Sequence, residues 1–247
     1  MKRTLTPELM DAPDVPRPQL AGALAFLRMV NRRWGGSRAL ISHLRRWSAR
    51  WPARRPVTLL DIATGSADIP LAARRWALAR GHDLRVTAVD LHEATLELAR
   101  EHLDLAARAE PEVARGITLL RADARNLREH FAPASFDYVH AALFLHHLPD
   151  IEALTVLAQM DALARAGIVW SDLNRSRLHR ALIEPSIWFA PPIVRHDGRV
   201  SVEGAFTRSE AEQMARRVGI NYAPYHRPPL WYRFTLAGEK PGCWNTT

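Results

Sequence analysis

The chain has 247 residues, of which 47% are hydrophobic and 24% charged, with a formal net charge of +8 and a single cysteine, Cys243. That composition excludes wholesale disorder and fibrous structure, and one cysteine excludes a disulfide-stapled secreted fold. No run approaches the roughly 18 apolar residues of a membrane span, and the N-terminus lacks the apolar core of a signal peptide, so a soluble cytoplasmic protein is expected.

Of the 34 basic residues only Lys2 and Lys240 are lysines. A phosphate track has no need to exclude lysine, so the arginine excess points to codon usage more than to selected charge chemistry. Eight arginines between Arg32 and Arg55 do cluster and form a candidate basic patch. A solvated helix face is the plainer reading of it, and nucleic acid is not an expected partner.

Residues 1–17 hold three prolines and no apolar period, and read as an irregular arm. From Pro18 to Trp51 leucines and other apolar residues recur at helical spacing, and Gly35-Gly36 divides the stretch into two helices. A different rhythm begins at Pro56. The run Val57–Asp61 reads as a strand ending in a carboxylate, followed by a turn and a helix from Ile69 to Arg80. The unit then repeats: strand Leu84–Asp90 and helix Glu93–Arg108, strand Gly116–Arg121 with Asp123 and a short helix, strand Phe136–Ala141 and helix Ile151–Arg165, and strand Gly167–Asp172. Strands alternating with helices at this spacing predict a mostly parallel, doubly wound α/β sheet.

The segment Arg175–Val200 breaks the rhythm with three prolines, two histidines and the pair Trp188-Phe189. It follows the fifth strand at the carboxyl edge, where a lid over about 175–205 is expected. Thr207-Arg-Ser-Glu210 is a capping box that starts a helix running to about Val218. Two runs of strand character, Asn221–His226 and Leu230–Leu236, predict an antiparallel pair at the sheet's edge. The whole reads as a helical N-terminal segment (1–55) on a core (56–247) with seven strands, in one structural unit.

Ligands of open parallel sheets sit at the carboxyl ends of the strands, and here Asp61, Asp90, Asp123 and Asp172 all fall there. One such acid is ordinarily a helix cap; four in register point to a site. An acid after the second strand, about 20–30 residues past the first turn, is where dinucleotide-type folds grip a ribose diol. The first turn, Asp61-Ile-Ala-Thr-Gly65-Ser-Ala-Asp68, resembles motif I of the class I S-adenosylmethionine-dependent methyltransferases, with Ala63 and Ala67 at two of its three glycine positions. Val86–Asp90 resembles the ribose-binding second strand of that family and Arg121-Ala-Asp123-Ala124 its adenine-contacting third. Phe136–Ala141 followed by His146-His147-Leu148-Pro149-Asp150 is similar to its fourth-strand signature. The resemblance covers about residues 56–172.

It implies a Rossmann-like fold and S-adenosylmethionine as the cofactor. Asp61, Ala63, Thr64, Gly65 and Ala67 would shape the methionine end of its site, Asp90 with Leu91 the ribose, Asp123 with Ala124 the adenine, and Ala141 the end of the fourth strand. The rival, a nicotinamide or flavin dehydrogenase, would require G-x-G-x-x-G, which Ala63-Thr-Gly65 does not supply. The reaction implied is methyl transfer to a small molecule. An oxygen acceptor such as a phenol or enol calls for a base near neutrality, and His146 or His147 suits that, with Asp172 to orient the imidazole; packing of the loop is the competing role. His196, beside Asp197-Gly198 and so read as a turn, is a second candidate for substrate contact. Trp188 and Phe189 either line an apolar aromatic pocket or pack the lid onto the sheet. The arm–helix–core–lid layout resembles the quinone-type branch and the methyltransferases of polyketide phenols. Ring C-methylation, RNA methylation and a non-catalytic partner role remain as alternatives. No metal site stands out: thiolate clusters are excluded, and adjacent histidines do not form an i,i+4 ligand pair.

Overall fold

A computed structural model describes residues 2–53, 55–227 and 232–244. The sheet is built from β1 (Val57–Ile62), β2 (Leu84–Asp90), β3 (Ile117–Arg121), β4 (Phe136–Ala142), β5 (Ala164–Leu173), β6 (Tyr225–His226) and β7 (Arg233–Glu239), in the order β3-β2-β1-β4-β5-β7-β6. The first five are mutually parallel, β7 runs antiparallel to β5, and β6 antiparallel to β7. The expected edge pair is present. Its second strand begins at Arg233, and Leu230, from which it was expected to start, lies outside the described residues.

The strands are covered on both faces, which is why they read as continuous apolar runs rather than alternating ones. Alternate residues feed two cores. Leu60, Val139, Ile168 and Phe234 pack on one side with α6 (Asp150–Leu163) and α9 (Arg208–Arg217). On the other side Leu59, Tyr138 and Val169 pack with α2 (Gly36–Trp47) and α3 (Asp68–Leu78). The crossover α4 (Glu93–Ala109) and the short α5 (Pro111–Arg115) precede β3. Because β1 lies between β2 and β4, the chain's winding reverses there and a crevice opens at the carboxyl ends of these strands.

The N-terminal helices α1 (Arg17–Arg33) and α2 meet at Gly35, whose φ of 86° lies in the left-handed region. Next to it, a β-carbon on Gly36 would lie 2.2 Å from Asn31 Oδ1, so the second glycine answers to close packing. α2 joins the sheet core through Leu40, Leu44 and Trp47, and Trp47 stacks on Tyr138 at 5.1 Å. The capping box at Thr207 and Glu210 forms as expected.

The segment after β5, where the lid is expected, forms two helices, α7 (Arg177–Ile187) and α8 (Pro192–Gly204). Pro192 occupies the first position of α8, where a missing N–H costs nothing. Ile193, Val194 and Val202 are buried at helical spacing, so His196-Asp197-Gly198 lies within a helix and not in a turn.

Candidate active site

A cavity of about 910 Å³ opens at the carboxyl edge of the sheet. Its floor is the turn after β1. There Ala63, Gly65 and Ala67 take φ of 53°, 57° and 56°, all left-handed. The alternating small residues of the sequence are thus the positions where the backbone must adopt the conformation that favours glycine. Thr64 donates its hydroxyl to Asp61 Oδ2 at 2.6 Å, and the other Asp61 oxygen is held by His140 Nδ1. Asp61 therefore braces the turn from within. Ala67, fully buried and not on the cavity wall, shapes the turn without facing a ligand, whereas Ala63, Thr64 and Gly65 face it.

At the end of β2 the Asp90 carboxylate accepts the Gly65 N–H at 3.0 Å and the His92 N–H at 3.1 Å. Burial raises its pKa, and the two backbone donors oppose that shift. One donor per oxygen leaves a lone pair on each for a vicinal diol. Leu91, Asp123 and Ala124 continue the wall. Asp123 is held by the Arg125 guanidinium at 2.6 Å, whose hydrogen bonds keep its pKa low, and Arg125 also bonds Glu152 at 2.9 Å. Ala141 is not on the wall: it is fully buried in the core beside its cavity-lining neighbour Ala142, because successive strand residues face opposite ways. Near the first turn, Arg233 is 4% exposed and donates to Asn31 Oδ1 at 2.9 Å, while Asn31 donates to Asp68 Oδ2 at 3.1 Å. The Nε and Nη1 of Arg233 are buried with no partner among the described residues.

Opposite the turn, a short 3₁₀ segment after β4 carries Leu145–His147. His146 Nδ1 bonds the fully buried Asp172 at 2.6 Å. Asp172 also accepts the indole N–H of Trp170 at 3.1 Å and its neighbour Leu173 N–H at 2.8 Å, which fixes the carboxylate. His146 Nε2 has no hydrogen-bond partner among the described residues and points to Glu8, 3.5 Å away. His147 Nδ1 bonds Asp11 at 2.7 Å, and its Nε2 lies 3.6 Å from the same Glu8 oxygen. Burial alone would lower the pKa of His146, but Asp172 and Glu8 raise it to about 10. His147 is raised too, by Glu8 and Asp11 against the pull of burial and of His146. For Glu8 and Asp172 burial pushes upward and the imidazoles win, holding both carboxylates below their usual range.

Glu8 and Asp11 come from the N-terminal arm, to which the sequence assigned no chemistry. The arm is strapped down by Arg3, which donates to the carbonyls of Gly204 (2.7 Å), Leu148 (2.8 Å) and His146 (3.2 Å). The Leu9 and Met10 N–H groups bond the Asp197 carboxylate on α8 at 2.8 and 3.1 Å. A proline-rich stretch without apolar period gives no local signal of this. Its one legible feature is a pair of acids in an otherwise basic chain.

The lid candidates fall elsewhere. Trp188 and Phe189 are 71% and 95% exposed at the α7–α8 turn, neither lining the cavity nor packing the helices down. His196 bonds its neighbour Asp197 and also stays off the wall. The apolar wall is made instead by Leu24, Val30, Phe144, Leu173, Ile183 and Val194. In the arginine cluster, Arg50 pairs with Glu239 and Arg55 with Asp137, Arg54 lies outside the described residues, and Arg32, Arg33, Arg38, Arg45 and Arg46 are exposed. No described helix is long and apolar enough to cross a membrane.

A seven-stranded sheet in this order, a left-handed small-residue turn after β1 and an acid gripping that turn from β2 define the class I, Rossmann-like methyltransferase fold. The comparisons agree. Residues 59–167 match the methyltransferase domain family, whose class uses S-adenosylmethionine as cofactor. The fold is similar to that of a proposed O-methyltransferase from Nostoc punctiforme PCC 73102 (TM-score 0.64, 18% identity, 97% of this chain and 64% of that one). It is also similar to magnesium protoporphyrin IX methyltransferase from Synechocystis PCC 6803 with bound S-adenosylhomocysteine (0.56, 15%, 83% and 82%) and to an S-adenosylmethionine-dependent methyltransferase from Aquifex aeolicus (0.57, 15%, 89% and 97%). The chain thus spans just under two thirds of the Nostoc protein's length. No curated protein matches the sequence. Residues 59–167 thus form a methyltransferase domain, and the chain has the class I, Rossmann-like methyltransferase fold.

Proposed function

We propose that the protein methylates a hydroxyl oxygen, a phenol or enol, on an apolar, polyketide- or quinone-like small molecule in the cytoplasm. The observation that carries this reading is the His146–Asp172 pair, with an unpartnered Nε2, in the same cavity as the Gly65–Asp90 turn. When bound, S-adenosylmethionine supplies a methyl group already activated by a sulfonium charge, so the protein's work is to position an oxygen and manage its proton.

On this reading Asp90 takes the ribose diol with its two remaining lone pairs, and Asp123 and Ala124 border the adenine. Arg233, a buried cation with two nitrogens, Nε and Nη1, that have no partner among the described residues, supplies the counter-charge for the methionine carboxylate. An uncompensated buried guanidinium is costly, and a bound carboxylate removes that cost. Asp172 and Glu8 hold the His146 ring as an imidazolium at neutral pH, with Nδ1–H donated to Asp172 and Nε2–H facing the acceptor oxygen. His146 is therefore the ion-pair partner of an acceptor that binds as phenolate or enolate, its proton having passed to solvent. The oxygen–methyl bond forms as the carbon–sulfur bond breaks, its electron pair staying on sulfur. The apolar wall, with Leu24, Phe144 and Leu173, suits an acceptor with little charge outside the reacting group.

The test is incubation with methyl-labelled S-adenosylmethionine and a panel of phenolic and enolic acceptors, with product analysis by mass spectrometry and NMR. The expected product is a methyl ether. Label on a ring carbon would establish C-methylation instead, and label on RNA with none on small molecules would overturn the reading.

A further inference from the structure

Two adjacent histidines and a glutamate remote from them in sequence present nitrogen or oxygen to one point on the cavity wall. We propose that Glu8, His146 and His147 bind a divalent transition-metal ion, zinc first among them, through Glu8 Oε1 and the two Nε2 atoms. The three candidate ligand atoms lie within 4.8 Å of one another, with Glu8 Oε1 at 3.5 Å from His146 Nε2 and 3.6 Å from His147 Nε2. A tetrahedral zinc with nitrogen and oxygen ligands at about 2.0–2.1 Å separates its ligand atoms by about 3.4 Å. The two Glu8 distances are within tenths of an ångström of that value, and the two Nε2 atoms, no more than 4.8 Å apart, have only to close toward it.

The surroundings are those that a metal requires. Each histidine has its Nδ1 tied to a carboxylate, Asp172 at 2.6 Å and Asp11 at 2.7 Å, which fixes the ring and turns Nε2 toward the shared point. His146 Nε2, on a side chain 3% exposed, has no hydrogen-bond partner among the described residues, an arrangement that is costly without a ligand. Two imidazoles and one carboxylate are borderline donors suited to zinc rather than to calcium or magnesium, which prefer oxygen. All three residues border the cavity, so a fourth position faces the space where an acceptor enters. The competing arrangement is metal-free, two imidazolium rings sharing the Glu8 carboxylate. Exchanging the two Nε2 protons for one divalent ion leaves the charge of Glu8, Asp11, Asp172 and the two histidines unchanged, so the protein tolerates either occupant and proton release separates them. The sequence concealed the site because its carboxylate comes from the arm.

A metal there would hold the acceptor oxygen directly and lower its pKa, replacing the His146 imidazolium as the charge partner of that oxygen. That consequence rests on reading the cavity as a methyl-acceptor site, whereas the binding itself does not. The test uses untagged protein stripped with EDTA, titrated with Zn²⁺ by calorimetry in buffers of different ionisation enthalpy and with Co²⁺ by visible absorption. Expected are one ion per chain, proton release near neutral pH, and the intense visible bands of four-coordinate Co²⁺. Glu8→Gln and His147→Gln should each weaken binding at least 100-fold, and Asp11→Asn about 10- to 100-fold. His130→Gln, at an exposed histidine away from the cavity wall, should change nothing. Retained Tm of Glu8→Gln confirms that loss of binding is not loss of fold. Absence of saturable binding, or binding that survives both Glu8→Gln and His147→Gln, overturns the site. S-adenosylhomocysteine titrated into the same samples keeps the two readings apart: cofactor binding without metal refutes only the metal site, and metal binding without cofactor refutes only the methyltransferase reading.

Discussion

Two alanines stand in the left-handed region of the first turn, and replacing each by glycine has a calculable effect. Ala63 and Ala67 have φ of 53° and 56°. A non-glycine residue there costs about 1–2 kcal/mol, which glycine recovers. Against that, glycine adds about 0.5–1 kcal/mol of unfolded-state entropy. Removing a fully buried methyl costs a further 0.8 kcal/mol or so. Ala63 is only partly buried and borders the cavity, so Ala63→Gly should stabilise by about 0.5–1 kcal/mol. Ala67 is 0% exposed, so its lost packing cancels the gain and Ala67→Gly should be near neutral. In a chain of this size 1 kcal/mol moves Tm by about 2–4 °C. Calorimetric or dye-monitored melting should therefore show Ala63→Gly raised by about 1–4 °C and Ala67→Gly within about 2 °C of the parent. A fall of more than about 2 °C for Ala63→Gly would refute the turn conformation on which the cofactor site is built.

Three further outcomes follow from the site. On the proposed reading the ribose hydroxyls donate two hydrogen bonds to the Asp90 carboxylate, each worth about 1.5–3 kcal/mol, so for Asp90→Ala calorimetry should show S-adenosylhomocysteine affinity falling about 10²- to 10⁴-fold, and a loss under about tenfold would place the diol elsewhere. Arg233→Met should cost about 10- to 100-fold in S-adenosylhomocysteine affinity and leave 5′-methylthioadenosine, which lacks the carboxylate, unaffected; equal losses for both would deny Arg233 the carboxylate. In metal-free buffer, His146 has a folded pKa of about 10 against 6.5 unfolded, so its contribution is fully present below pH 6.5 and lost as pH rises toward 10. Urea unfolding at pH 6 and pH 9 should show that loss in the parent and not in His146→Gln, and an equal loss in both would detach the shift from His146.

How much of this was legible from sequence divides along physical lines. The strand Leu84–Asp90 and the capping box at Thr207 and Glu210 were readable to the residue, since a β-branched run ended by an acid and a local side-chain bond are short-range signals. The cofactor turn was readable because backbone conformation leaves a mark on composition: only small residues stand at positions 63, 65 and 67. The helices α7 and α8 were hidden by Pro185, Pro191 and Pro192, although two of these fall where helices accept them, just before α8 and at its first position. Trp188 and Phe189 read as pocket residues on size alone, yet the turn that carries them faces solvent. Ala141 was misplaced by one residue, which in a strand is the other face. Glu8 and Asp11 were invisible for the deepest reason. Their partners, His146 and His147, are brought to them only by the arm's path across α8 and the loop after β4.

The central claim, that this cavity binds S-adenosylmethionine at the Gly65–Asp90 turn, meets its most direct test in one calorimetric titration of the wild-type chain with S-adenosylhomocysteine. The account predicts a single saturable site, with an affinity that falls in Asp90→Ala. No saturable heat at millimolar ligand would contradict it.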